Sequence, residues 1–213
     1  AAAGAAAAKA AQAEAEAAQS PQEQFWEVVE KLLAFMGAGV ALMCSCADDD
    51  KTTWEEYTEW RDLNSAWLEE MQQRKNADGT PYYTTVVPDW NPGSFVLMHY
   101  FNDRAETEGR LSPLYNSTVD VRYRLHLCDG TGIDSSDNQT QYGAKGIFRT
   151  ALNNTIQGWC VALPRMRCGD SAEVIVPYGL GYGASTSGNI KPYSTLRFNI
   201  RLVDIPFYER PEQ

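Results

Sequence analysis

The chain has 213 residues, of which 44% are hydrophobic and 22% charged, a balance typical of a globular protein. Its formal net charge of −10 argues against nucleic acid as a partner, because phosphate binding needs a basic face. The two histidines, His99 and His126, exclude a His-rich metal site, and five cysteines without a CxxC pair indicate neither a zinc ribbon nor a disulfide framework.

The start of the chain divides into segments by composition. Residues 1–30 form a low-complexity, alanine-rich segment with helix propensity but little to bury, and Ser20–Glu23 has the pattern of a helix cap. Residues 31–46 contain the apolar run Leu32–Met43. This run is too short to span a bilayer but has the length of a signal-peptide core. The segment is therefore predicted to be a signal peptide.

The end of this segment resembles a bacterial lipobox. In Met43-Cys44-Ser45-Cys46 a small residue directly precedes Cys46, which would be lipidated and anchor the mature protein to a membrane. The following Ala47–Asp50 resembles the acidic signal that directs lipoproteins of some Gram-negative bacteria, as in Bacteroidetes, to the cell surface. These residues predict a lipid-anchored protein of the cell envelope, on the outer membrane and facing the periplasm or the surface. The alternative is an ordinary buried helix that ends at Cys46.

Residues 47–81 are predicted to form a linker and one amphipathic helix. Thr53–Glu56 has the pattern of a capping box, and the helix is expected to reach about Lys75, before a turn at Asn76–Gly79. Apolar residues recur at three- and four-residue spacing along one face of this helix: Trp60, Leu63, Trp67, Leu68 and Met71. The stripe is expected to dock on the following domain. The alternative is a homodimer formed through the helix Trp54–Lys75.

Residues 82–207 have the pattern of an α+β domain built on an antiparallel sheet. Apolar and polar residues alternate over Val119–Leu127, as in a half-buried strand, and Asp129-Gly130 then predicts a turn. A short helix is expected near Gly158–Pro164. Further strands are predicted at Tyr82–Val87, Phe95–Tyr100, Ala172–Val176 and Thr195–Val203.

Three segments of this domain together resemble one protein family. Val121–Ser136 resembles the pattern VHYTG…LxDGxxFDSS, and Thr155–Asp170 resembles VIxGWxxGLxxMxxGE. Val176–Phe198 resembles IPxxLAYGxxG…IPPNxTLxFxVEL. Each pattern alone is weak, but all three occur in the order found in FKBP-type peptidyl-prolyl cis-trans isomerases. The chain is therefore identified as similar to this family.

The resemblance implies an α+β fold, an FKBP-like antiparallel β-sheet of five or six strands wrapped around one short α-helix. The pocket would lie between the helix and the concave sheet face. By position, the catalytic residues would be Tyr123, Asp134, Trp159 and Tyr182, and the substrate-binding residues would be Ile133, Thr155, Ile156, Ile190 and Phe198. Neither a metal nor a cofactor is implied.

The family's chemistry explains why an aromatic pocket is needed. Amide resonance gives an X-Pro bond a rotation barrier of about 18–20 kcal/mol. The twisted transition state has lost this resonance and is less polar, so a dry pocket stabilises it relative to water. The resemblance implies that the proline ring contacts three rings, those of Trp159, Phe198 and Tyr123. The Tyr182 hydroxyl and the Ile190 amide would donate to the carbonyl before the proline, and Asp134 would orient Tyr123 or supply a local dipole.

The sequence also departs from the family's pattern in the pocket. Ile133 stands where the family has a phenylalanine, and Asn189 replaces an apolar residue in the loop after Tyr182. Tyr142 and Phe148 are both candidates for a second pocket phenylalanine. Two functions remain open. One is isomerisation of X-Pro bonds in proline-containing polypeptides of the envelope or in export, and the other is a non-catalytic FKBP-fold binding or chaperone module of a cell-envelope complex.

Overall fold

The computed structural model of the chain describes residues 52–142 and 145–208. Two helices come first, α1 (Thr53–Glu56) and α2 (Thr58–Gln73). The strands that follow are β1 (Thr84–Val86), β2 (Val96–Tyr100), β3 (Thr118–Leu127), β4 (Gly132–Ser135), β5 (Phe148–Ala151), β6 (Ser171–Val176) and β7 (Leu196–Asp204). Helix α3 (Gln157–Ala162) lies between β5 and β6. Short 3-10 turns cover Arg104–Thr107, Leu152–Asn154, Leu163–Arg165 and Tyr178–Leu180.

The strands of the described part of the chain form one antiparallel sheet in the order β1-β2-β6-β7-β3-β4, with β5 also paired to β3. Strand β5 pairs with Thr118–Val121 and β4 with Arg124–His126, so both lie end to end along the same edge of β3. The predicted antiparallel α+β fold is confirmed. The resemblance implied five or six strands, whereas the described residues form seven, because β4 and β5 are separate four-residue strands that both pair with β3.

The predicted strands and turn are present with small shifts at their ends. The predicted strand at Tyr82–Val87 is shorter in the structure, where β1 covers three residues. The turn after β3 is closed by a hydrogen bond from the Gly130 amide to the Leu127 carbonyl, and Gly130 has the positive φ of 84° that favours glycine. The predicted short helix begins one residue earlier, at Gln157, and continues as a 3-10 turn to Arg165.

The main hydrophobic core lies between α3 and one face of the sheet. Alternation along β3 and β7 directs every second side chain to this face. Its fully buried members include Val121, Leu152, Ala162, Leu163, Met166, Val174, Val176, Leu196, Ile200 and Leu202. Trp159 and Phe198 belong to the same cluster, which places the predicted pocket residues at its border.

The capping box that begins the N-terminal helices lies one residue before the predicted Thr53–Glu56. Thr52 is the N-cap, its amide donates to Glu55 Oε2 at 3.0 Å, and its hydroxyl accepts from the Glu55 amide. Thr52 and Glu55 have the same spacing as Thr53 and Glu56, so the spacing alone could not show which pair forms the capping box. The predicted single helix is interrupted at Tyr57, whose φ of −103° and ψ of 22° depart from helical values.

Helix α2 ends at Gln73, two residues before the predicted end, and packs on the sheet. Its side chains Trp67 and Met71 are buried. The Tyr83 hydroxyl donates to Glu173 Oε1 at 2.5 Å and lies 3.8 Å from the Met71 sulfur. Along β6, Glu173 lies on the face opposite to the core residues Ala172 and Val174. Because the Tyr83 hydroxyl contacts both Glu173 and Met71 of α2, α2 covers the sheet face opposite α3. The predicted docking of the apolar stripe on the domain is confirmed, and the homodimer stays a prediction.

Within residues 52–142 and 145–208, no helix combines the length and the apolarity needed to cross a bilayer. The predicted alanine-rich segment 1–30, the signal-like segment 31–46 with Cys46, and the acidic residues after it lie outside the described residues.

Candidate active site

Four aromatic rings form a cup between α3 and the concave face of the sheet. They are Tyr123 of β3, Phe148 of β5, Trp159 of α3 and Phe198 of β7. The Trp159 ring centroid lies 5.4 Å from Phe198 and 5.4 Å from Tyr123, with the ring planes nearly perpendicular. Such edge-to-face contacts are favourable for aromatic pairs. Trp159 and Phe198 are each 4% exposed, so they form the floor of the cup, and the half-buried Tyr123 and Phe148 form its wall.

Phe148, and not Tyr142, supplies the second wall ring. Strand β5 pairs Phe148 with Val121, two residues before Tyr123, and the Phe148 and Tyr123 centroids are 5.6 Å apart. Tyr142 is exposed, and its ring lies 4.5 Å from the guanidinium of Arg149. The register of β5 therefore decides between the two candidates that the sequence left open.

Asp134 holds the Tyr123 hydroxyl at the rim of the cup. The hydroxyl donates to Asp134 Oδ2 at 2.5 Å, and Asp134 Oδ1 accepts from the Ser135 amide at 2.8 Å. Asp134 reaches this position because β4 pairs it with Leu125, which faces the concave side. Burial, followed by the hydrogen bond and the negative charge of Asp134, raises the pKa of the Tyr123 phenol. The phenol therefore remains a protonated donor fixed by a carboxylate, which supports the orienting role predicted for Asp134.

This raised pKa predicts a loss of stability at alkaline pH. A phenol in the unfolded chain ionises near pH 10, whereas the native Tyr123 phenol ionises only at higher pH. The unfolded state thus loses its proton first, so the contribution of Tyr123 to stability is complete below about pH 10 and declines as the pH rises further. We expect the free energy of unfolding of Tyr123→Phe to fall less steeply between about pH 9 and 11 than that of the wild type. Urea unfolding at each pH measures both slopes.

The control for this titration is Tyr142→Phe, which removes an exposed tyrosine hydroxyl outside the cup. It gives the change in slope that follows from removing a tyrosine hydroxyl that lies outside the cup. Equal slopes for Tyr123→Phe and the wild type would contradict the raised pKa of Tyr123.

The backbone donor predicted at Ile190 does not fit the structure. The Ile190 amide already donates to the Ser187 carbonyl at 2.9 Å. The Ile156 amide, in contrast, makes no hydrogen bond to any described residue, and it precedes α3 directly, three residues before Trp159. The Ile156 side chain packs against the core cluster beside the cup. Sequence reasoning placed Ile156 in the pocket but missed its amide, because only the turn geometry shows which amides are free.

The remaining predicted substrate-binding residues divide into two groups. The side chains of Ile133, Ile156 and Ile190 pack against the cluster that contains Trp159 and Phe198. The Thr155 hydroxyl donates to the Leu152 carbonyl at 2.7 Å, so it caps the preceding turn. The structure therefore does not direct the Thr155 hydroxyl to the cup. In the part of the chain that the structure describes, no group of three His, Cys, Asp or Glu residues could hold a metal ion.

Tyr182 stands on a closed loop at the edge of the cup. It is 38% exposed, and its hydroxyl makes no hydrogen bond to the described residues. The charge of an ionised Tyr182 phenol contributes to raising the pKa of Tyr123, after burial and Asp134. The end of the loop is a tight turn, in which Ser187 and Ile190 exchange two backbone hydrogen bonds. Asn189 lies exposed in this turn, so its polar side chain is not part of the cup floor.

An open groove of about 420 Å³ adjoins the cup along the β3–β4 hairpin. Ile133 and Asp134 line the groove and also contact residues of the cup. The rest of its lining is mostly polar and includes Arg124, His126, Ser135, Asp137 and Asn138.

Comparison with known proteins agrees with this geometry. Residues 110–203 match the sequence model of the family described as FKBP-type peptidyl-prolyl cis-trans isomerase. FK506-binding protein 2 of Debaryomyces hansenii is 37% identical over 110 residues, which are 52% of this chain and 76% of that protein. The chain belongs to the FKBP family. The predicted resemblance is thus confirmed, and the aromatic cup lies within the matched residues of this FKBP-type chain.

Other relatives match this chain over less than half of its length. The Outer membrane protein MIP of Legionella longbeachae is 38% identical over 94 residues, which are 44% of this chain and 38% of that protein. This FKBP-type chain spans about half, or less, of the length of several curated relatives that it matches. A crystal structure of a peptidyl-prolyl cis-trans isomerase from Pseudomonas syringae superposes with a TM-score of 0.52 at 24% identity, covering 74% of this chain and 98% of that one. That similarity supports the fold.

Proposed function

We propose that this chain catalyses cis-trans isomerisation of X-Pro bonds in proline-containing polypeptides. The observation that carries the proposal is the cup of four aromatic rings with a Tyr123 hydroxyl fixed by Asp134. The floor is dry, because Trp159 and Phe198 are almost fully buried. A dry aromatic surface favours the less polar, twisted imide over the planar one, and this difference lowers the rotation barrier.

The donors at the edge of the cup complete the mechanism. As the imide twists, the carbonyl before the proline turns away from the plane of the C–N bond and needs a new hydrogen-bond donor. The Ile156 amide and the Tyr182 hydroxyl are both unpaired among the described residues, so they can bind this carbonyl without breaking an internal bond. Donors that are already in place cost no rearrangement in the transition state. Neither a nucleophile nor a proton transfer is required.

Exchange spectroscopy by NMR on an X-Pro tetrapeptide tests the isomerase activity. A substitution at Ile156 tests whether its amide acts as a donor. Ile156→Pro removes the amide hydrogen, and proline fits there because Ile156 has a φ of −60° and Thr155 is extended. We expect Ile156→Pro to lower kcat/KM by about tenfold, the value of one hydrogen bond of about 1.4 kcal/mol.

The matched control is Ile156→Val, which keeps the amide and most of the apolar side chain. It should retain a rate close to that of the wild type. Equal rates for the valine and proline variants would remove the Ile156 amide from the mechanism.

If the wild-type chain does not accelerate exchange, and Trp159→Ala is indistinguishable from it, the chain is instead a non-catalytic binding or chaperone module. Titration with a proline-containing peptide then measures that binding.

We further propose that the protein acts in the cell envelope through a lipid on Cys46. The lipobox-like sequence before Cys46 supports this location, as does the name of the Legionella relative, Outer membrane protein MIP. Mass spectrometry of the mature protein tests it, because a free chain that begins before Cys46 would contradict the anchor.

The homodimer through the helix Trp54–Lys75 is a separate proposal, supported by the helix alone, and light scattering that shows a monomer would dismiss it.

A further inference from the structure

The N-terminal helices contact the segment that connects two residues of the cup border. The Trp60 indole of α2 donates to Ser194 Oγ at 3.0 Å, and the Ser194 hydroxyl donates to the Lys191 carbonyl at 2.8 Å. The buried Asn64 accepts a hydrogen bond from the Thr195 amide at 2.7 Å. These contacts fix Lys191–Thr195, which runs from Ile190 at one side of the cup to the start of β7, the strand that carries Phe198.

A second contact runs from α1 to the loop of Tyr182. The Trp54 ring packs edge-on against Tyr193 with centroids 5.4 Å apart, and Tyr193 packs edge-on against Tyr178, also at 5.4 Å. The Tyr193 amide donates to the Gly183 carbonyl at 2.8 Å, and the Gly183 amide donates to the Tyr178 carbonyl at 2.9 Å. Tyr193 therefore connects α1 directly to the residue that follows Tyr182.

The backbone of Tyr193 shows that this connection is under constraint. Its φ is 62°, in the left-handed region that side chains other than glycine rarely adopt, and the residue is 6% exposed. Such a conformation persists only where the surroundings hold it. In this structure the holding contacts are the two edge-on rings, Trp54 and Tyr178, and the hydrogen bond to Gly183. Loss of the helical contacts would allow Tyr193 to relax and Gly183 to move with it.

We propose that Trp54 and Trp60 are positioning residues, which set the isomerisation rate by holding the Lys191–Thr195 segment and, through Tyr193, the loop of Tyr182. The proposal rests on the proposed isomerase function for its effect on rate. The helical segment before the sheet is thus part of the catalytic unit. Trp54 packs on Tyr193, and Trp60 bonds Ser194 while its ring packs at the border of the core cluster that contains Trp159 and Phe198. Trp60→Phe keeps that ring packing and removes only the hydrogen bond, so it isolates the link through Ser194.

Three variants test the contact from α2: Trp60→Phe, Ser194→Ala and their combination. Trp60→Phe keeps an aromatic ring but removes the indole donor to Ser194. We expect each single variant to lower kcat/KM for an X-Pro tetrapeptide about threefold to tenfold, since a small misplacement of a positioning group is costly. The double variant should lose no more than the worse single one, because both remove the same hydrogen bond. Trp54→Ala should lower kcat/KM similarly through Tyr193.

The matched control is Tyr83→Phe. It loosens the other end of α2 by removing the hydroxyl bonded to Glu173 and next to Met71, and it does not touch Lys191–Thr195. We expect Tyr83→Phe to lower the melting temperature at least as much as Trp60→Phe, with kcat/KM unchanged. If kcat/KM follows the melting temperature across all these variants, the effect is general destabilisation and the proposal is wrong.

Amide hydrogen exchange separates this proposal from the proposed function. The Tyr193 and Gly183 amides should exchange faster in Trp54→Ala and Trp60→Phe than in the wild type and in Tyr83→Phe, whether or not the chain is an isomerase. Unchanged exchange at both amides would overturn the positioning role. A wild-type chain without isomerase activity, but with this exchange pattern, would overturn the proposed function and leave the mechanical link intact.

Discussion

Trp159→Ala is expected to lower kcat/KM for X-Pro peptides by more than tenfold, that is, to remove more than about 1.4 kcal/mol of transition-state stabilisation. Trp159 touches Tyr123 and Phe198 edge-on and closes the floor of the cup, so its loss admits water to the place where the imide twists. The same change also leaves a cavity. For a tryptophan with 4% exposure we expect the free energy of unfolding to fall by about 3–5 kcal/mol.

Two further variants separate the activity from the stability. Leu97→Ala removes a fully buried side chain from the sheet face opposite the cup, where Leu97 pairs with Ile175. It should cost about 2–5 kcal/mol of stability with little change in kcat/KM. Trp159→Phe keeps a smaller ring in the floor and should retain more activity than Trp159→Ala. Stopped-flow or NMR exchange rates and urea unfolding on the same samples give both quantities. Equal activity losses in Leu97→Ala and Trp159→Ala would mean that the floor has no specific role.

Much of this fold could be predicted from the sequence, because several elements have patterns that are visible in neighbouring residues. In the sequence, β3 alternates apolar and polar residues from Val119 to Leu127, and the Asp129-Gly130 turn needs a positive φ that glycine adopts without strain. The ordered patterns around Tyr123, Trp159 and Tyr182 then fixed the family and hence the place of the cup. The position of a residue inside a long regular element is thus predictable from its neighbours, whereas the place of the cup followed from the resemblance of three ordered motifs to the family.

The features that the sequence did not show depend on contacts between distant segments. Phe148 reaches the cup only because β5 pairs with β3 in one particular register, and a four-residue strand carries no usable pattern. The free amide at Ile156 and the occupied amide at Ile190 are determined by how two turns close. The contacts of Trp54 and Trp60 join residues more than a hundred positions apart, which helical periodicity cannot locate.

Gly158→Ala is expected to destabilise the protein by about 1–3 kcal/mol, although alanine normally stabilises a helix relative to glycine by about 0.5–1 kcal/mol. Gly158 is the second residue of α3, and its backbone lies directly against β6. A Cβ atom there would stand 2.3 Å from Val176 Cγ1 and 2.7 Å from Val176 Cγ2. Val176 is fully buried and β-branched, so it has no free rotamer and α3 must move away. Because Trp159 follows Gly158, this movement should also lower kcat/KM.

A second substitution on the facing strand tests whether this close approach is the cause. Val176→Ala alone should cost about 2 kcal/mol, because it removes buried methyl groups. Combined with Gly158→Ala it provides the missing space, so the double variant should be more stable than the sum of the single losses predicts, by about 1 kcal/mol or more. Gly179→Ala is the matched control, since a Cβ at Gly179 meets nothing within 4 Å. It should leave the urea midpoint unchanged. Strictly additive losses in the double variant would show that Val176 does not limit how closely α3 packs on the sheet.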